Sequence, residues 1–160
     1  EEFVSFARMP TAQFREEALA PLIRKSVFSE KTAHPEISYQ TVFEDEDILL
    51  LCDERQLGQM LLNLMKNAAE AMEGQKDAAI TLGLRRAKDA VVIELSDNGP
   101  GFPPDKIATL TEPYVTTRAK GTGLGLAIVK KTMEEHKGTL TLANKPEGGA
   151  LVTLVFPQEK

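Results

Sequence analysis

A chain of 160 residues with a 42% hydrophobic share is long and apolar enough for one globular domain, which excludes disorder throughout. Its net charge of −5 disfavours a general nucleic-acid-binding surface, because such a surface needs an excess of Lys and Arg. No apolar run approaches the roughly 20 residues that cross a bilayer. The single cysteine, Cys52, ends an apolar run, so we expect a buried hydrophobe in a reducing compartment.

The first third of the chain predicts one amphipathic helix and two strands ahead of a long helix. Apolar residues at helical spacing predict the first helix over residues 17–29. Alternation over residues 37–43 predicts a strand, and a short apolar strand follows that ends near Cys52. Asp53 is placed to cap the long helix, with Gln56 three residues on in a capping-box position.

One face of the long helix is predicted to meet the core, because seven apolar residues fall within about 120° of one another. These residues are Leu57, Met60, Leu61, Leu64, Ala68, Ala71 and Met72. Asn63, Asn67 and Glu70 lie along the flank of that stripe. They are either a solvated helix face or a ligand site, and amide oxygens are neutral hard ligands that suit Mg²⁺.

Two strands follow, predicted from alternation over residues 80–84 and 91–95. A stretch rich in Gly, Pro and Thr over residues 97–123 predicts a long loop with at most a short helix near Lys106. The loop opens with the letters DNGPGF directly after the second strand, so Asp97 stands at a strand end.

The last third predicts a helix over residues 123–136, with Gly138 in the C-cap position. Alternation on either side of residues 144–149 predicts a closing hairpin. Helices and strands mixed around one sheet indicate an α+β sandwich.

Two glycine-containing segments carry the chemistry expected of a ligand site. Gly99 and Gly101 allow backbone to approach a ligand closely, and the Asp97 carboxylate can accept from an exocyclic amine, although an ordinary loop is the alternative. The segment GTGLGL, residues 121–126, places free N–H groups at a helix start, where phosphates bind well. Neither a Walker loop nor a Rossmann turn fits it, because no Lys-Ser/Thr follows and no strand precedes it.

The four motifs together resemble a known family. Asn-x-x-x-Asn on a helix, DNGPGF, EPYVTT and GTGLGL, in that order, are similar to the four nucleotide-binding boxes of histidine kinase catalytic domains. The resemblance covers residues 15–157 and is greatest to sensor kinases of the nitrogen-regulation type. It implies a two-layer α/β sandwich of the Bergerat ATP-binding fold, with a mixed sheet of about five strands on about three helices.

The resemblance also implies roles for individual residues towards Mg²⁺ and ATP. Asn67 would ligate Mg²⁺, Asn63 would contact the phosphates, and Asp97 would bind the adenine amino group in a pocket shaped by Gly99 and Gly101. The segment that would hold the phosphates consists of Gly121, Thr122, Gly123, Leu124, Gly125 and Leu126.

Residues 103–120 would form a lid over the nucleotide, by the same resemblance. Thr117, Arg118 and Lys120 are its candidate phosphate contacts, and Arg118 and Lys120 join Asn63 as candidate catalytic residues.

The implied organisation is a tail of a dimerisation and phosphoacceptor helix at residues 1–10 and a catalytic domain at residues 11–160. The partners implied are a dimerisation domain bearing the acceptor histidine and, through the full-length protein, a response regulator, with no nucleic acid. We expect the isolated domain to be monomeric and cytoplasmic, and its parent to be a candidate inner-membrane sensor.

Three departures and alternatives accompany this interpretation. ATPase relatives carry a glutamate four residues before the Mg²⁺-binding Asn, where this chain has Asn63, which cannot take a proton and so disfavours hydrolysis. Many histidine kinases have a Lys-Tyr pair where this chain has Glu70 and Ala71, and an aromatic residue where it has Thr111. A nucleotide-sensing module without transfer activity, a related ATPase or a serine kinase therefore remain alternatives.

Neither histidine of the chain stands in the context of an acceptor helix. His34 precedes a proline in a predicted loop, and His136 ends a predicted helix, so both are predicted to be surface residues. The sequence therefore predicts a domain that binds Mg-ATP and does not phosphorylate itself.

Overall fold

A computed structural model describes residues 11–112 and 125–158. In chain order its elements are β1 (Arg15–Ala18), α1 (Leu19–Ala33), β2 (Ser38–Phe43), β3 (Leu49–Cys52), α2 (Glu54–Ala71), β4 (Ala79–Ala87), β5 (Ala90–Asp97), a 3₁₀ turn (Ile107–Thr109), α3 (Gly125–Glu135), β6 (Thr139–Asn144) and β7 (Ala150–Pro157). Within those ranges, none of the helices combines the length and the apolar character needed to cross a membrane.

The main sheet has five strands in the order β2-β4-β5-β7-β6. β2 pairs with β4 in parallel and the other neighbours are antiparallel, so the sheet is mixed. Burial alternates along β4, where Ile80, Leu82 and Leu84 face a core that the three helices cover. This is the two-layer sandwich that the sequence predicted, with its five strands and three helices.

The long helix α2 is amphipathic and capped as expected. The Asp53 carboxylate accepts a hydrogen bond from the Gln56 N–H at 3.0 Å. Six of the seven predicted stripe residues are buried, but Ala71 is exposed. Ala71 is the last residue of α2, and the chain leaves the helix directly after it in the turn at residues 72–74.

A second, two-stranded sheet was not predicted. β1 pairs antiparallel with β3, from Arg15 opposite Cys52 to Ala18 opposite Leu49. Three of the four β1 residues are charged, so β1 shows no apolar alternation. Its pairing depends on a partner more than 30 residues away, which leaves no local pattern in the sequence.

The buried thiol of Cys52 behaves as the sequence predicted. Cys52 is fully buried. Burial, together with the nearby carboxylates of Glu17, Asp53 and Glu54, raises the pKa of the thiol to about 12. A thiol held neutral in this way acts as a small hydrophobe.

Helix α3 ends at Glu135, one residue before the end that was predicted from the position of Gly138. Lys137 takes the left-handed conformation with φ 58°, and the Gly138 N–H then closes the helix by donating to the Met133 carbonyl oxygen at 2.8 Å. Gly138 is needed for a different reason, since a Cβ there would clash with the backbone oxygen of Val155.

The prediction of a surface position for His136 was wrong, because its side chain is buried against the start of α2. Nε2 accepts a hydrogen bond from the Asp53 N–H at 3.1 Å, and Nδ1 lies 2.8 Å from the Thr132 carbonyl oxygen, to which it donates. The Phe14 ring stacks on the imidazole with centroids 4.7 Å apart. The N-terminal segment thus covers a helix end that would otherwise face solvent.

We predict that His136→Ala lowers the free energy of unfolding by about 2–4 kcal/mol, because it opens a cavity and leaves the buried Asp53 N–H without a partner. Urea unfolding followed by circular dichroism measures the loss. His34→Ala is the matched control, since the His34 side chain is 34% exposed and its removal should change stability little. Equal losses for the two variants would contradict the role given to His136.

Candidate functional site

The hydrogen bond between Asp53 and His136 sets the relative placement of α2 and α3. It joins the start of α2 to the end of α3, and the two helices pack against each other, so they run in opposite directions. The 11 residues of α3 span about 16 Å, and the ten helical steps from Asp53 to Asn63 span about 15 Å. The start of α3 at Gly125 is therefore brought to about the level of Asn63.

Asn63 is buried on the flank of α2 and has only one of its two amide groups engaged. Its Oδ1 accepts a hydrogen bond from Gln59 Nε2 at 3.0 Å, and the residue is 6% exposed. Its Nδ2 is buried and makes no hydrogen bond to any residue of the described ranges. A solvated helix face does not account for Asn63, because an unmet buried donor carries a free-energy cost that a ligand could remove.

The other two polar residues of this flank are less buried. Asn67 is half-buried one turn after Asn63, and Glu70 is exposed. Burial therefore falls along the flank from the middle of α2 towards its end, as expected for the wall of an open cleft.

Asp97 is held firmly at the end of β5. Its Oδ1 accepts hydrogen bonds from the N–H groups of Gly99 at 2.8 Å and Ala150 at 3.1 Å. Residues within 11–112 and 125–158 make no hydrogen bond to Oδ2. A carboxylate whose first oxygen is fixed by two backbone donors presents its second oxygen in a fixed direction.

The two predicted glycines of the following loop are needed for close approach. A Cβ on Gly99 would lie 2.7 Å from Met72 Cγ, at the C-cap of α2, so the loop presses against the end of that helix. Gly101 has φ 82°, and a Cβ there would lie 2.7 Å from Asn144 Oδ1. The loop that carries Asp97 is thereby joined both to α2 and to the closing hairpin.

Two asparagines that the sequence did not single out hold this loop. Asn98 accepts the Ala79 N–H through Oδ1 at 2.8 Å and donates to the Asp77 carbonyl through Nδ2 at 2.8 Å. Asn144 accepts the Phe102 N–H at 2.7 Å and donates to the Phe102 carbonyl at 2.9 Å. Asn98 could have been suspected from its place in DNGPGF, whereas the 42-residue separation of Asn144 from Phe102 leaves no pattern to read.

Of the predicted phosphate-binding segment, the structure describes Gly125 and Leu126. Gly125 is the first residue of α3, and the half-buried Leu126 packs against the core, so Leu126 can offer a ligand only its backbone. The other predicted residues lie outside the described residues: Thr117, Arg118, Lys120, Gly121, Thr122, Gly123 and Leu124.

Together these features define a candidate cleft along α2, with the Asp97 carboxylate near the end of the helix and the donors near its middle. The Asp97 loop lies against the C-cap of α2, while the Asn63 amide and the start of α3 lie about two turns or more earlier along the helix. A separate cleft of about 480 Å³ near the β4–β5 turn is lined by none of the predicted residues.

Comparison with known proteins identifies the family of the chain. The family model described as histidine kinase-, DNA gyrase B-, and HSP90-like ATPase matches residues 52–160, which is more than half of the chain. The chain belongs to this family. Within it, the resemblance to nitrogen-regulation sensor kinases is confirmed by the relatives.

The chain is 42% identical over 159 residues to the "Putative sensor histidine kinase NtrY-like" of Rickettsia bellii, covering 99% of this chain and 26% of that protein. It is also 42% identical to the "Nitrogen regulation protein NtrY" of Azorhizobium caulinodans, covering 99% of this chain and 21% of that protein. The chain therefore spans about a quarter of the length of these relatives.

Solved structures confirm the fold of this family member. The catalytic domain of histidine kinase ThkA, in a nucleotide-free form, is 29% identical with a TM-score of 0.81, and the match covers 91% of this chain and 96% of that chain. ThkA solved in complex with response regulator protein TrrA matches with a TM-score of 0.81 at 25% identity, over 99% of this chain and 46% of that chain.

Gly149 was also missed, and it offers a sharp test of how the site is assembled. It has φ 99°, and a Cβ there would clash with the backbone oxygen of Asp97. Its neighbour Gly148 has φ 110°, and apart from the two adjoining residues no atom of the described part of the chain lies within 4 Å of the position that a Cβ would take there. A substitution at either glycine would strain the backbone, because both have a positive φ. Of the two, only Gly149 lies against the Asp97 backbone.

We predict that Gly148→Ala costs about 1–3 kcal/mol from backbone strain alone, and that Gly149→Ala costs at least about 2 kcal/mol more because the Asp97 backbone must move. Urea unfolding measures both losses. Amide NMR shifts of Asp97 and Gly99 should change in Gly149→Ala and stay near the wild-type values in Gly148→Ala. Equal destabilisation with an undisturbed Asp97 loop in both variants would refute this packing.

Proposed function

We propose that this chain binds Mg-ATP and transfers the γ-phosphoryl group to a histidine on a separate dimerisation domain, as the catalytic domain of a two-component sensor kinase. The observation that carries the proposal is the pair of polar groups beside α2. A buried amide donor without a partner in the described residues stands at the middle of the helix, and a fixed carboxylate stands at its end.

The adenine end of the proposed site is Asp97 with its loop. Oδ2 of Asp97 would accept a hydrogen bond from the exocyclic amino group of adenine, while Oδ1 stays bound to the N–H groups of Gly99 and Ala150. Gly99 and Gly101 let the Asp97 loop pack tightly against Met72 and Asn144, which holds the Asp97 carboxylate in place. This arrangement favours adenine over guanine, because guanine carries a carbonyl oxygen where adenine carries the amino group.

The phosphate end would be formed by α2 and the start of α3. Nδ2 of Asn63 would donate to a phosphate oxygen, and the N–H groups at the start of α3 from Gly125 would do the same. The amide oxygen of Asn67 would hold Mg²⁺, which supplies neutralisation of the negative charge on the phosphates.

The remaining phosphate contacts are proposed for residues outside the described ranges. The backbone of Gly121–Leu124 would continue the phosphate site ahead of Gly125. Arg118 and Lys120 would neutralise charge on the transferred group, with Thr117 as a further contact.

The residue type at position 63 supports transfer over hydrolysis. Asn63 occupies the place that a glutamate holds in the ATPase relatives, and a neutral amide cannot take a proton from water. Phosphoryl transfer depends mainly on positioning and charge neutralisation, which this site can supply, while the nucleophile comes with the acceptor domain.

The wider setting is proposed on the same basis. Residues 1–10, which lie outside the described residues, would be the end of the dimerisation helix, and residues 11–160 the catalytic domain. The partners would be the dimerisation domain and, through the full-length protein, a response regulator, with no nucleic acid. We propose a cytoplasmic, monomeric domain whose parent is an inner-membrane sensor.

The two histidines of the chain are poorly placed to accept a phosphoryl group. Both ring nitrogens of His136 are engaged by backbone groups in a buried position. His34 lies between Glu30 at 4.0 Å and Glu36 at 3.4 Å, whose negative charges would repel an incoming phosphate. We therefore propose that the acceptor histidine lies on the separate dimerisation domain, since the chain has no histidine besides these two.

We predict that the chain incubated with γ-labelled Mg-ATP acquires no stable label. Adding a dimerisation domain of an NtrY-type kinase in trans should yield acid-labile, alkali-stable label on that domain, because the domain supplies the nucleophile. Gel autoradiography before and after acid treatment measures both. Asn67→Ala should abolish the transfer.

Two results would change the assignment. Stable acid-labile label on the isolated chain would contradict the placement of the acceptor outside it. Tight Mg-ATP binding without transfer to any acceptor domain would favour a nucleotide-sensing module in place of a kinase.

A further inference from the structure

We propose that Gln59 is a positioning residue that supports the Asn63 amide in the orientation with Nδ2 facing the nucleotide, an inference that rests on the proposed ATP site. Gln59 lies one turn before Asn63 on α2, and its Nε2 donates to Asn63 Oδ1 at 3.0 Å. The donor Nδ2 of Asn63 then points away from Gln59 and is buried without a partner in the described part of the chain.

The orientation matters because the two ends of an amide are nearly identical in shape and opposite in hydrogen bonding. Phosphate oxygens only accept hydrogen bonds, so Asn63 can bind them only through Nδ2. A flip of the Asn63 amide would place Oδ1 against the phosphates and turn an attraction into a repulsion. The donor of Gln59 pairs with Oδ1 only in the orientation that turns Nδ2 towards the nucleotide, and the reverse orientation requires the Gln59 amide to turn as well.

This assigns different duties to the two asparagines of α2. Asn63, fixed by Gln59, would present a donor to phosphate, whereas Asn67 would present an oxygen to Mg²⁺. The proposed role of Gln59 is confined to its hydrogen bond with Asn63, because the Gln59 side chain is exposed and contributes little to the core. Its substitution should therefore leave the stability of the domain almost unchanged.

Two substitutions separate the hydrogen bond from the shape of the side chain. Gln59→Met keeps the length and removes the donor, so the Asn63 amide loses its preferred orientation. Gln59→Glu replaces the donor by an acceptor, so Asn63 Nδ2 turns towards position 59 and Oδ1 turns towards the phosphates. The second variant should do more harm than the first.

Calorimetric titration of the whole chain with Mg-ATP and with adenosine tests the proposal. We expect Gln59→Met to weaken Mg-ATP binding about threefold and Gln59→Glu at least about tenfold, with adenosine binding unchanged in both. In an Asn63→Ala background, Gln59→Glu should change Mg-ATP binding less than about twofold, because it acts through Asn63. A tenfold loss that persists in that background would show plain charge repulsion and overturn the proposal.

A measurement without nucleotide separates this inference from the proposed function. In the wild-type chain, NMR should detect a hydrogen-bond scalar coupling between the Gln59 side-chain nitrogen and the Asn63 side-chain carbonyl carbon. In Gln59→Glu, one Asn63 amide proton should move downfield as it becomes the donor. A coupling in the reverse direction in the wild type would refute the orientation even if Mg-ATP binds, and the expected coupling with no ATP binding would refute only the function.

Discussion

The hydrogen bond from the Asp53 N–H to His136 Nε2 joins the first turn of α2 to the last turn of α3, and the geometry of the cleft depends on it. Because the helices run in opposite directions from this junction, the length of α3 decides where its N-terminus lies along α2. By the lengths of the two helices, that N-terminus comes to about the level of Asn63, so two groups that favour anions, a helix start and a buried amide donor, lie at about the same height along α2.

The other end of the cleft is fixed by contacts of a different kind. Asp97 is bound by two backbone donors, and its loop is held against α2 by the close approach of Gly99 to Met72. Asn98 and Asn144 connect the same loop to β4 and to the closing hairpin. The Asp97 carboxylate is therefore held by contacts with α2, β4 and the closing hairpin together.

Much of this framework could be predicted from local sequence signals. The helix cap at Asp53, the alternation in β4 and β5, and the glycines after Asp97 each encode their structure within a few residues, and each was predicted, although the Asp53 N–H binds His136 and not Gln56 as a full capping box would require. Asn63 could be recognised as a candidate site residue, but its burial and its orientation could not, because both depend on neighbours in three dimensions.

The features that escaped prediction share long sequence separation. β1 is charged and is a strand only because β3 pairs with it. His136 has the sequence context of an exposed helix end, yet Phe14 and Asp53 bury it from a distance of more than 80 residues along the chain. Gly149 stands in a hairpin turn, where glycine is common, and its contact with the Asp97 backbone becomes evident only when β5 and β7 are placed side by side.

The central claim is that α2 and the Asp97 loop together bind a magnesium-bound adenine nucleotide, and calorimetric titration with ATP in the presence and absence of Mg²⁺ tests it most directly. The account predicts affinity that rises with Mg²⁺, a loss of that rise in Asn67→Ala, and weaker binding of both ATP and adenosine in Asp97→Asn, which retains one acceptor for the backbone but loses the other. Binding that is absent, or that neither substitution alters, would contradict it.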